Sequence, residues 1–136
     1  MDFIRTMMIA ASGLRAQTDR MRIISENIAN ADSTAANPQA DPYRRRIPTF
    51  RSAFDKELQA NVVQLGKIQT DKSDFTVRNE PGNPAADAAG NVKYPNVNTL
   101  IETVDMREAQ RSYEANLNVI GATRRMISRT LDLLKA

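Results

Sequence analysis

The sequence predicts a mainly α fold in which two long terminal helices form a coiled-coil-like pair, joined by a small irregular or β middle segment. Apolar residues recur at helical spacing towards both ends of the chain, whereas all six Pro residues lie between positions 38 and 95. Only 5% of the residues are aromatic and none is Trp, which favours thin helix-on-helix packing over a thick core. The 136 residues therefore divide into an N-terminal helix at 1–30, a loop-rich segment at 31–96 and a C-terminal helix at 97–136.

The N-terminal helix is predicted from an apolar stripe with heptad spacing and no Pro. Its principal row consists of Met7, Leu14, Met21 and Ile28. The residues three positions before each member of the principal row become small and polar along the helix. Such residues make a poor seam for a dimer of this helix alone, but they allow close approach to larger partner helices. Asn30 is expected to end the helix, because Asn tolerates the left-handed conformation that is common there.

The middle segment is expected to be irregular with limited β structure. Residues 31–46 combine Pro with turn-forming Asn, Asp and Ser, so a solvated, mobile loop is predicted. Strand-like stretches occur at 47–50, 62–65, 68–70 and 75–78, separated by Gly66 and polar residues. Residues 51–61 are predicted to form a short helix, and residues 79–91 a second loop.

The C-terminal helix carries the strongest pattern in the chain. Its principal row consists of Met106, Tyr113, Ile120, Ile127 and Leu134, and Leu117 and Leu131 add the neighbouring row. Two residues compete for the helix cap: Thr99 begins a capping box that would end at Glu102, and Asn98 precedes it by one residue. Either cap starts a helix that runs to the last turns of the chain.

Helix length favours packing between molecules. Helices of about 28 and 36 residues extend roughly 40 and 55 Å, which the middle segment cannot cover. Met8, Ile24, Val119 and Leu133 lie off the paired stripes and are expected to remain for partners to bury. The usual interpretation of such stripes is the core of a helical bundle, so a soluble bundle adaptor that dimerises through the same heptads stays an alternative.

Composition and charge exclude several classes of function. The chain has no Cys and no His, which removes thiolate nucleophiles, soft metal sites and the commonest proton-transfer side chain. Its net charge of +3 is spread evenly, at +1 in each segment, unlike the concentrated basic face of a nucleic-acid-binding protein. We therefore predict no enzyme, no cofactor, no metal, no nucleic-acid partner and no small-molecule substrate. A basic helical protein that binds nucleic acid is the less favoured alternative.

Three polar motifs have competing interpretations. Arg44, Arg45 and Arg46 could contact phosphate, lie in an exposed loop, or bridge to acidic residues of a neighbour. Asn83, Asp87 and Asn91 could suggest calcium, but Ala85 and Ala89 interrupt the alternating oxygen ligands of a calcium loop. Glu102, Asp105 and Glu108 are expected to form a solvated face, ion-paired with Arg107 and Arg111.

Short motifs at both ends resemble a known family. The stretches Ala10-Ala11-Ser12-Gly13-Leu14 and Ser25-Glu26-Asn27-Ile28-Ala29-Asn30-Ala31 resemble the N-terminal signature of bacterial flagellar basal-body rod and hook proteins. Further positions resemble the proximal rod members of that family: Tyr43, Arg44, Arg45, Asn96, Val97, Asn98, Asp105, Met106, Tyr113, Glu114, Ala115 and Asn116.

The resemblance implies a structural rod subunit in the periplasmic part of the flagellar basal body. Its partners would be other flagellar rod proteins, copies of itself and, during secretion, the flagellar type III export apparatus. We expect export without a cleavable signal, because the start of the chain has no basic region leading into an apolar one. The two terminal segments would be assembly helices, and the apolar rows given above would form the interface around an export channel.

Overall fold

The computed structural model describes residues 2–135, which form two helices and six strands. The elements in order are α1 (Phe3–Ala29), β1 (Arg46–Ile47), β2 (Phe50–Asp55), β3 (Ala60–Leu65), β4 (Gln69–Thr70), β5 (Thr76–Asn79), β6 (Asn91–Tyr94) and α2 (Thr99–Lys135). The strands pair as three antiparallel two-stranded sheets, β1 with β4, β2 with β3, and β5 with β6. No helix within the described residues is long and apolar enough to cross a membrane.

The prediction of a mainly α fold is wrong, although both long terminal helices are present. Helices contain 48% of the described residues and strands about 18%, all in antiparallel pairs within the middle of the chain. The sequence pattern gave too little weight to pairing between short stretches, because a strand of two to six residues carries few alternating positions. Strand β6 in particular follows a loop of Gly, Ala and Asn and was not predicted.

A hairpin replaces the short helix that was predicted at 51–61. Strands β2 and β3 pair in one continuous register from Phe50 opposite Leu65 to Asp55 opposite Ala60. The Oδ1 atom of Asp55 accepts hydrogen bonds from the amides of Glu57 and Leu58 at 2.9 and 3.1 Å, which closes the turn. Local capping by the Asp side chain therefore favours a turn where the apolar spacing alone suggested a helix.

Side-chain caps define the beginnings of both helices. Asp2 Oδ1 accepts from the amide of Arg5 at 3.0 Å, and Asn98 Oδ1 accepts from the amides of Leu100 and Ile101 at 3.0 and 3.3 Å. Asn98 is thus the cap of α2, and Thr99 is already helical. Asn30 does not adopt the left-handed conformation that was predicted; its Nδ2 instead donates to the carbonyl of Glu26 at 2.8 Å.

The chain divides into two compact units. The first contains the chain up to Met21, Thr49–Lys67 and the chain from Arg107 onward. Here α1 and α2 run antiparallel, because Phe3 and Ile4 line a groove with Ile127 while Gly13 faces Asn116. A Cβ at Gly13 would lie 2.9 Å from the Asn116 amide, so glycine permits this close approach. The core of this unit is small: Ala10, Ala16, Val62 and Ala109.

The second unit contains Arg22–Pro48 and Ile68–Met106. Its buried apolar residues come from the last turns of α1, the loop after α1 and the hairpin of β5 and β6: Ile23, Ile24, Ala31, Ala85, Val92 and Tyr94. The loop of residues 31–45 is irregular, as predicted, but it is tied to the β5–β6 hairpin. Asp32 lies 3.7 Å from Arg78, and Asp41 lies 3.3 Å from Lys93.

The second loop uses its polar side chains to close turns. Asp87 Oδ1 accepts from the amides of Ala89 and Asn91 at 2.8 and 2.9 Å, and Asn83 Oδ1 accepts from the amide of Ala85 at 3.0 Å. Gly90 has a φ of 80°, a conformation that residues with a Cβ rarely adopt. Asn83 and Asp87, whose oxygens could suggest a calcium loop, therefore have a structural role here, since they close its turns.

The hairpin turn generates the first prediction. Gln59 has a φ of 51°, and a β-branched residue is strained in that region. We expect Gln59→Val to destabilise the β2–β3 hairpin by about 1 kcal/mol or more, and Gln59→Gly to leave it at least as stable. Hydrogen exchange of the β2 and β3 amides measures the effect. Glu57→Val, at an exposed turn position without positive φ, is the control; equal effects of the two Val variants would contradict the prediction.

Candidate functional site

Polar side chains from four separate stretches of sequence meet within the second unit. They come from the last turns of α1, the segment before β1, the turn after β4 and the region around the start of α2. We call this group the polar cluster: Asn27, Tyr43, Arg45, Asp71, Asn96 and Glu102. Such groups must be matched by partners when they leave water.

Asn27 is the best-satisfied member of the polar cluster. It is 0% exposed, and its Nδ2 donates to Glu102 Oε2 at 3.0 Å and to the carbonyl of Arg46 at 2.8 Å. Its Oδ1 accepts from the amide of Arg46 at 2.9 Å and from the Tyr43 hydroxyl at 2.7 Å. Every donor and acceptor of the amide is therefore used. Only Asn has this combination of length and hydrogen-bonding groups.

Arg45 brings three carboxylates together. Its Nε donates to Glu102 Oε1 at 2.5 Å, and its terminal nitrogens lie 3.7 Å from Asp71 and 3.5 Å from Asp105. Burial opposes the charged form, but the hydrogen bond and negative charge of Glu102, with Asp105 and Asp71, raise the pKa of Arg45. Glu102 is only 1% exposed, so this guanidinium is its principal source of charge compensation.

Asn96 and Arg44 hold the turn that carries Asp71. Asn96 Oδ1 accepts from the amide of Arg45 at 2.8 Å, and its Nδ2 donates to the carbonyls of Asp71 and Ser73. Arg44 donates to the same two carbonyls, and its guanidinium lies 4.1 Å from the centre of the Phe75 ring. The amide of Ser73 donates to Asp71 and lowers the pKa of that carboxyl.

Tyr43 completes the polar cluster. Burial raises the pKa of its hydroxyl; Arg46 opposes that shift, and Glu26 and Glu102 add to it. The neutral hydroxyl is thus kept as a donor to Asn27. Arg46 itself pairs with Glu26, with its Nη1 3.0 Å from the carboxylate.

These contacts correct two interpretations of the sequence. The arginine triplet does not lie free in an exposed loop, because all three side chains bind groups of their own chain. Glu102 is not part of a solvated face. Its spacing from Met106 and Ala109 places it on the apolar stripe of α2, and a carboxylate on such a stripe signals a buried partner.

The other motif residues are divided between the two units. Asp105 contacts Arg45, and Asn98 caps α2. Asn116 donates to the carbonyl of Ser112 and faces Gly13 in the first unit. The remaining motif positions include three exposed residues, Ala29, Glu114 and Ala115, and four partly buried ones, Ile28, Val97, Met106 and Tyr113.

The residues predicted to form an interface separate into two groups. Eight are partly buried within the chain: Met7, Leu14, Met21, Ile28, Met106, Tyr113, Ile120 and Ile127. Leu117, Leu131 and Leu134 are exposed. Residues 128–135 of α2 lie beyond Ile127, which shares its groove with the first turn of α1, so Leu131, Leu133 and Leu134 have little of α1 to cover them.

A second apolar seam on α2 is exposed. Val119, Met126 and Leu133 are seven residues apart and are 43%, 52% and 79% exposed. Ala115 precedes Val119 and Ala122 lies between Val119 and Met126, both at the alternating spacing of a heptad seam. Met8 of α1 is exposed as predicted, but Ile24, which belongs to the second unit, is buried.

Comparison with known proteins gives one family along nearly the whole chain. The family "Flagella basal body rod protein" matches residues 7–36, and "Flagellar basal body rod FlgEFG protein C-terminal" matches residues 88–133. The flagellar basal-body rod protein FlgC of Agrobacterium fabrum strain C58 is 56% identical, over 94% of this chain and 92% of its own. FlgC of Bacillus subtilis strain 168 is 36% identical over 99% and 100%, and that of Escherichia coli O157:H7 is 37% identical over 92% of both chains.

The buried carboxylate generates the second prediction. Glu102→Gln removes the charge that faces Arg45, and we expect it to lower the free energy of unfolding by about 2–3 kcal/mol, less than a fully buried pair because Arg45 is partly exposed. Urea unfolding followed by circular dichroism measures the loss. Glu108→Gln, an exposed change on the same helix, is the control and should cost little. Additive losses in the double variant with Arg45→Met would contradict direct pairing.

Low pH is expected to remove the stabilisation that the Asp71 carboxylate provides. The folded pKa of Asp71 lies below its usual 3.8, so the stabilisation from this carboxylate is fully present above that pH. It is lost as the pH falls through the folded pKa, because the folded state then binds the proton as well. We expect Asp71→Asn to reduce the dependence of unfolding free energy on pH below about 4. Asp74→Asn, an exposed neighbour, should retain the full dependence; an equal reduction would contradict the assignment.

Proposed function

Because this chain belongs to the FlgC family of flagellar basal-body rod proteins and is a structural subunit of that rod, we propose that it polymerises through its terminal helices. Residues 1–30 and 97–136 would act as assembly helices, and residues 31–96 would hold them in place. The neighbours would be other flagellar rod proteins and copies of the same chain. The subunit would be a link in the drive shaft around an export channel and would catalyse no reaction.

The observation that carries this proposal is the exposed seam of Val119, Met126 and Leu133 on α2. Complete burial of an exposed side chain of this kind contributes about 1.5–3 kcal/mol, and burial of the half-exposed Val119 and Met126 contributes part of that, so neighbours stabilise a subunit with several such residues. Leu117, Leu131 and Leu134 extend the exposed apolar surface of the same helix. Met is flexible, and Met126 can adapt to neighbours that are not identical.

The partly buried rows would contribute to the same interface at their edges. Met7, Leu14, Met21 and Ile28 on α1, with Met106, Tyr113, Ile120 and Ile127 on α2, each retain some exposed area. A neighbouring helix in the grooves beside them would complete their burial. These rows therefore serve packing within the subunit first and packing between subunits second.

The polar cluster supports the mechanical part of the proposal. Through Asn27 and Glu102 it joins the last turns of α1 to the first turn of α2. Because these hydrogen bonds are directional, they oppose sliding of one helix end past the other. A subunit that transmits torque requires resistance of this kind.

Passage through the flagellar export apparatus is part of the proposal. A narrow channel would require the chain to pass unfolded, and the small apolar core of the first unit would favour folding only when neighbours add their surface. Binding energy from the exposed seam would then offset the entropy lost in ordering the helices.

The fourth prediction tests the seam. Val119→Asp places a charge in the proposed interface, and we expect loss of swimming and loss of the subunit from purified basal bodies, when the variant is the only copy in the cell. Val119 is partly exposed, so the circular dichroism of the isolated variant should match that of the unsubstituted chain. Gln110→Asp, an exposed position off the seam, is the matched control. Secretion of the Val119→Asp chain locates the defect at assembly; normal swimming would refute the proposal.

A further inference from the structure

Two contacts define how the hydrogen bonds of the β2–β3 hairpin alternate. The amide of Gly66 donates to the carbonyl of Thr49 at 2.6 Å, so these two residues form a hydrogen-bonded pair. The amide of Val63 donates away from β2, to Ser12 Oγ at 3.2 Å. Because the two kinds of pair alternate along an antiparallel ladder, the odd-numbered residues of β2 bond to β3, and the even-numbered ones point their backbone groups away from it.

The outward side of β2 is a row of unpaired backbone groups, which we call the β2 edge. It consists of the amides and carbonyls of Phe50, Ser52 and Phe54, none of which forms a hydrogen bond within residues 2–135. All three residues are exposed. An edge of this kind is a template for another strand, and proteins commonly protect it with Lys, Pro or a bulge. Strand β2 contains no Lys or Pro, and its register with β3 is continuous.

The residues of the β2 edge also present an apolar face. Because side chains alternate along a strand, Phe50 and Phe54 share one face with Val63 of β3, and these three are 42%, 58% and 42% exposed. Val62, on the other face, is buried. A two-stranded sheet is marginally stable by itself and is stabilised by further strands that share an apolar face. An added strand would therefore satisfy both the unpaired backbone groups and the exposed aromatic rings.

We infer that the β2 edge pairs with the β2 edge of a second copy of this chain, antiparallel and centred on Ser52. In this register Ser52 lies opposite Ser52 of the other copy, and Phe50 lies opposite Phe54 at both ends. Each of these pairs exchanges two backbone hydrogen bonds, so the unpaired groups of both edges are all used. The two hairpins become one sheet with the strand order β3–β2–β2–β3.

The sequence of the edge selects a second copy. Residues 50–54 read Phe-Arg-Ser-Ala-Phe, so antiparallel pairing about the central Ser brings phenylalanine beside phenylalanine twice. On the other face Arg51 lies opposite Ala53, and no two like charges are directly opposite. A shift of two residues in either direction would place Pro48, which has no amide N–H, or Lys56 of the turn opposite a phenylalanine.

Antiparallel pairing is also the arrangement that keeps the phenylalanine faces together. In a parallel pair, each outward residue bonds to the residues on either side of its opposite neighbour, so even-numbered positions would lie opposite odd-numbered ones. The phenylalanines would then lie beside residues of the other face, such as Arg51 and Ala53. The aromatic pairs are therefore formed only in the antiparallel dimer.

This pairing goes beyond the proposed function. A contact between two identical edges closes on two chains, so it links subunits in pairs and does not by itself extend a rod. It uses no residue of the exposed seam on α2. Val119→Asp and substitutions at Ser52 therefore test the two contacts separately, and either can fail while the other stands.

Hydrogen exchange of the full chain, measured by NMR at increasing concentration, tests the pairing. We expect the amides of Phe50, Ser52 and Phe54 to exchange quickly in dilute solution and slowly in concentrated solution, where sedimentation shows a dimer. The amides of Arg51 and Ala53 bond to β3 and should exchange slowly at both concentrations. A monomer at every concentration, or a dimer in which the three outward amides still exchange quickly, overturns the inference.

Substitutions at Ser52 test the register. Ser52→Lys places two ammonium groups directly opposite each other in the dimer, and Ser52→Glu places two carboxylates there, so each variant alone should form a dimer roughly fivefold weaker. Mixing the two variants brings opposite charges together and should restore the dimer. Ser52→Ala keeps the amide, adds no charge and is the control. Failure of the mixture to pair more tightly than either variant alone overturns the inference.

Loss of the central amide tests the backbone pairing itself. Ser52→Pro removes an N–H that the hairpin does not use, so β2 and β3 should stay paired, as the slow exchange of the Arg51 amide would show. We expect the dissociation constant of the dimer to rise roughly 10- to 100-fold, because each chain loses one hydrogen bond across the edge. A Ser52→Pro chain that pairs as tightly as the unsubstituted one contradicts the inference.

Discussion

The fold depends on the buried contact among Asn27, Arg45 and Glu102. A carboxylate 1% exposed and an amide 0% exposed are tolerable only because each has a matched partner. That requirement brings the end of α1, the segment before β1 and the start of α2 to one place. The contact therefore fixes both ends of the chain between the helices, which otherwise consists of short strands with few apolar residues.

Such a contact is better suited to specifying a structure than to stabilising it. The free energy needed to remove a carboxylate and a guanidinium from water nearly equals the free energy gained from their attraction. Apolar residues of similar size in the same place often give a fold that is equally stable. Apolar seams of Leu, Ile and Met, however, tolerate sliding by a heptad. The four hydrogen bonds of Asn27 do not, because its partners exist at only one position. The polar cluster therefore fixes the register of the two helices, which the apolar rows alone do not determine.

The sequence predicted the features that repeat and missed those that occur once. Heptad rows located both helices, and the motifs around Asn27, Tyr43 and Asn96 identified the flagellar rod family, which the relatives confirm. The β2–β3 hairpin was mistaken for a helix because one Asp side chain determined the turn. Burial of Glu102 depends on Arg45 and Asn27, which lie 57 and 75 positions away in sequence, and no local period encodes such partners.

The two units differ in what a neighbour could still stabilise. The second unit pairs nearly all its charges internally, while α2 in the first unit keeps an apolar seam exposed. Because exposed apolar side chains gain free energy when they leave water, a neighbour would stabilise the first unit more than the second. The polar contacts of the second unit, in contrast, are complete within one chain, so its structure depends less on assembly.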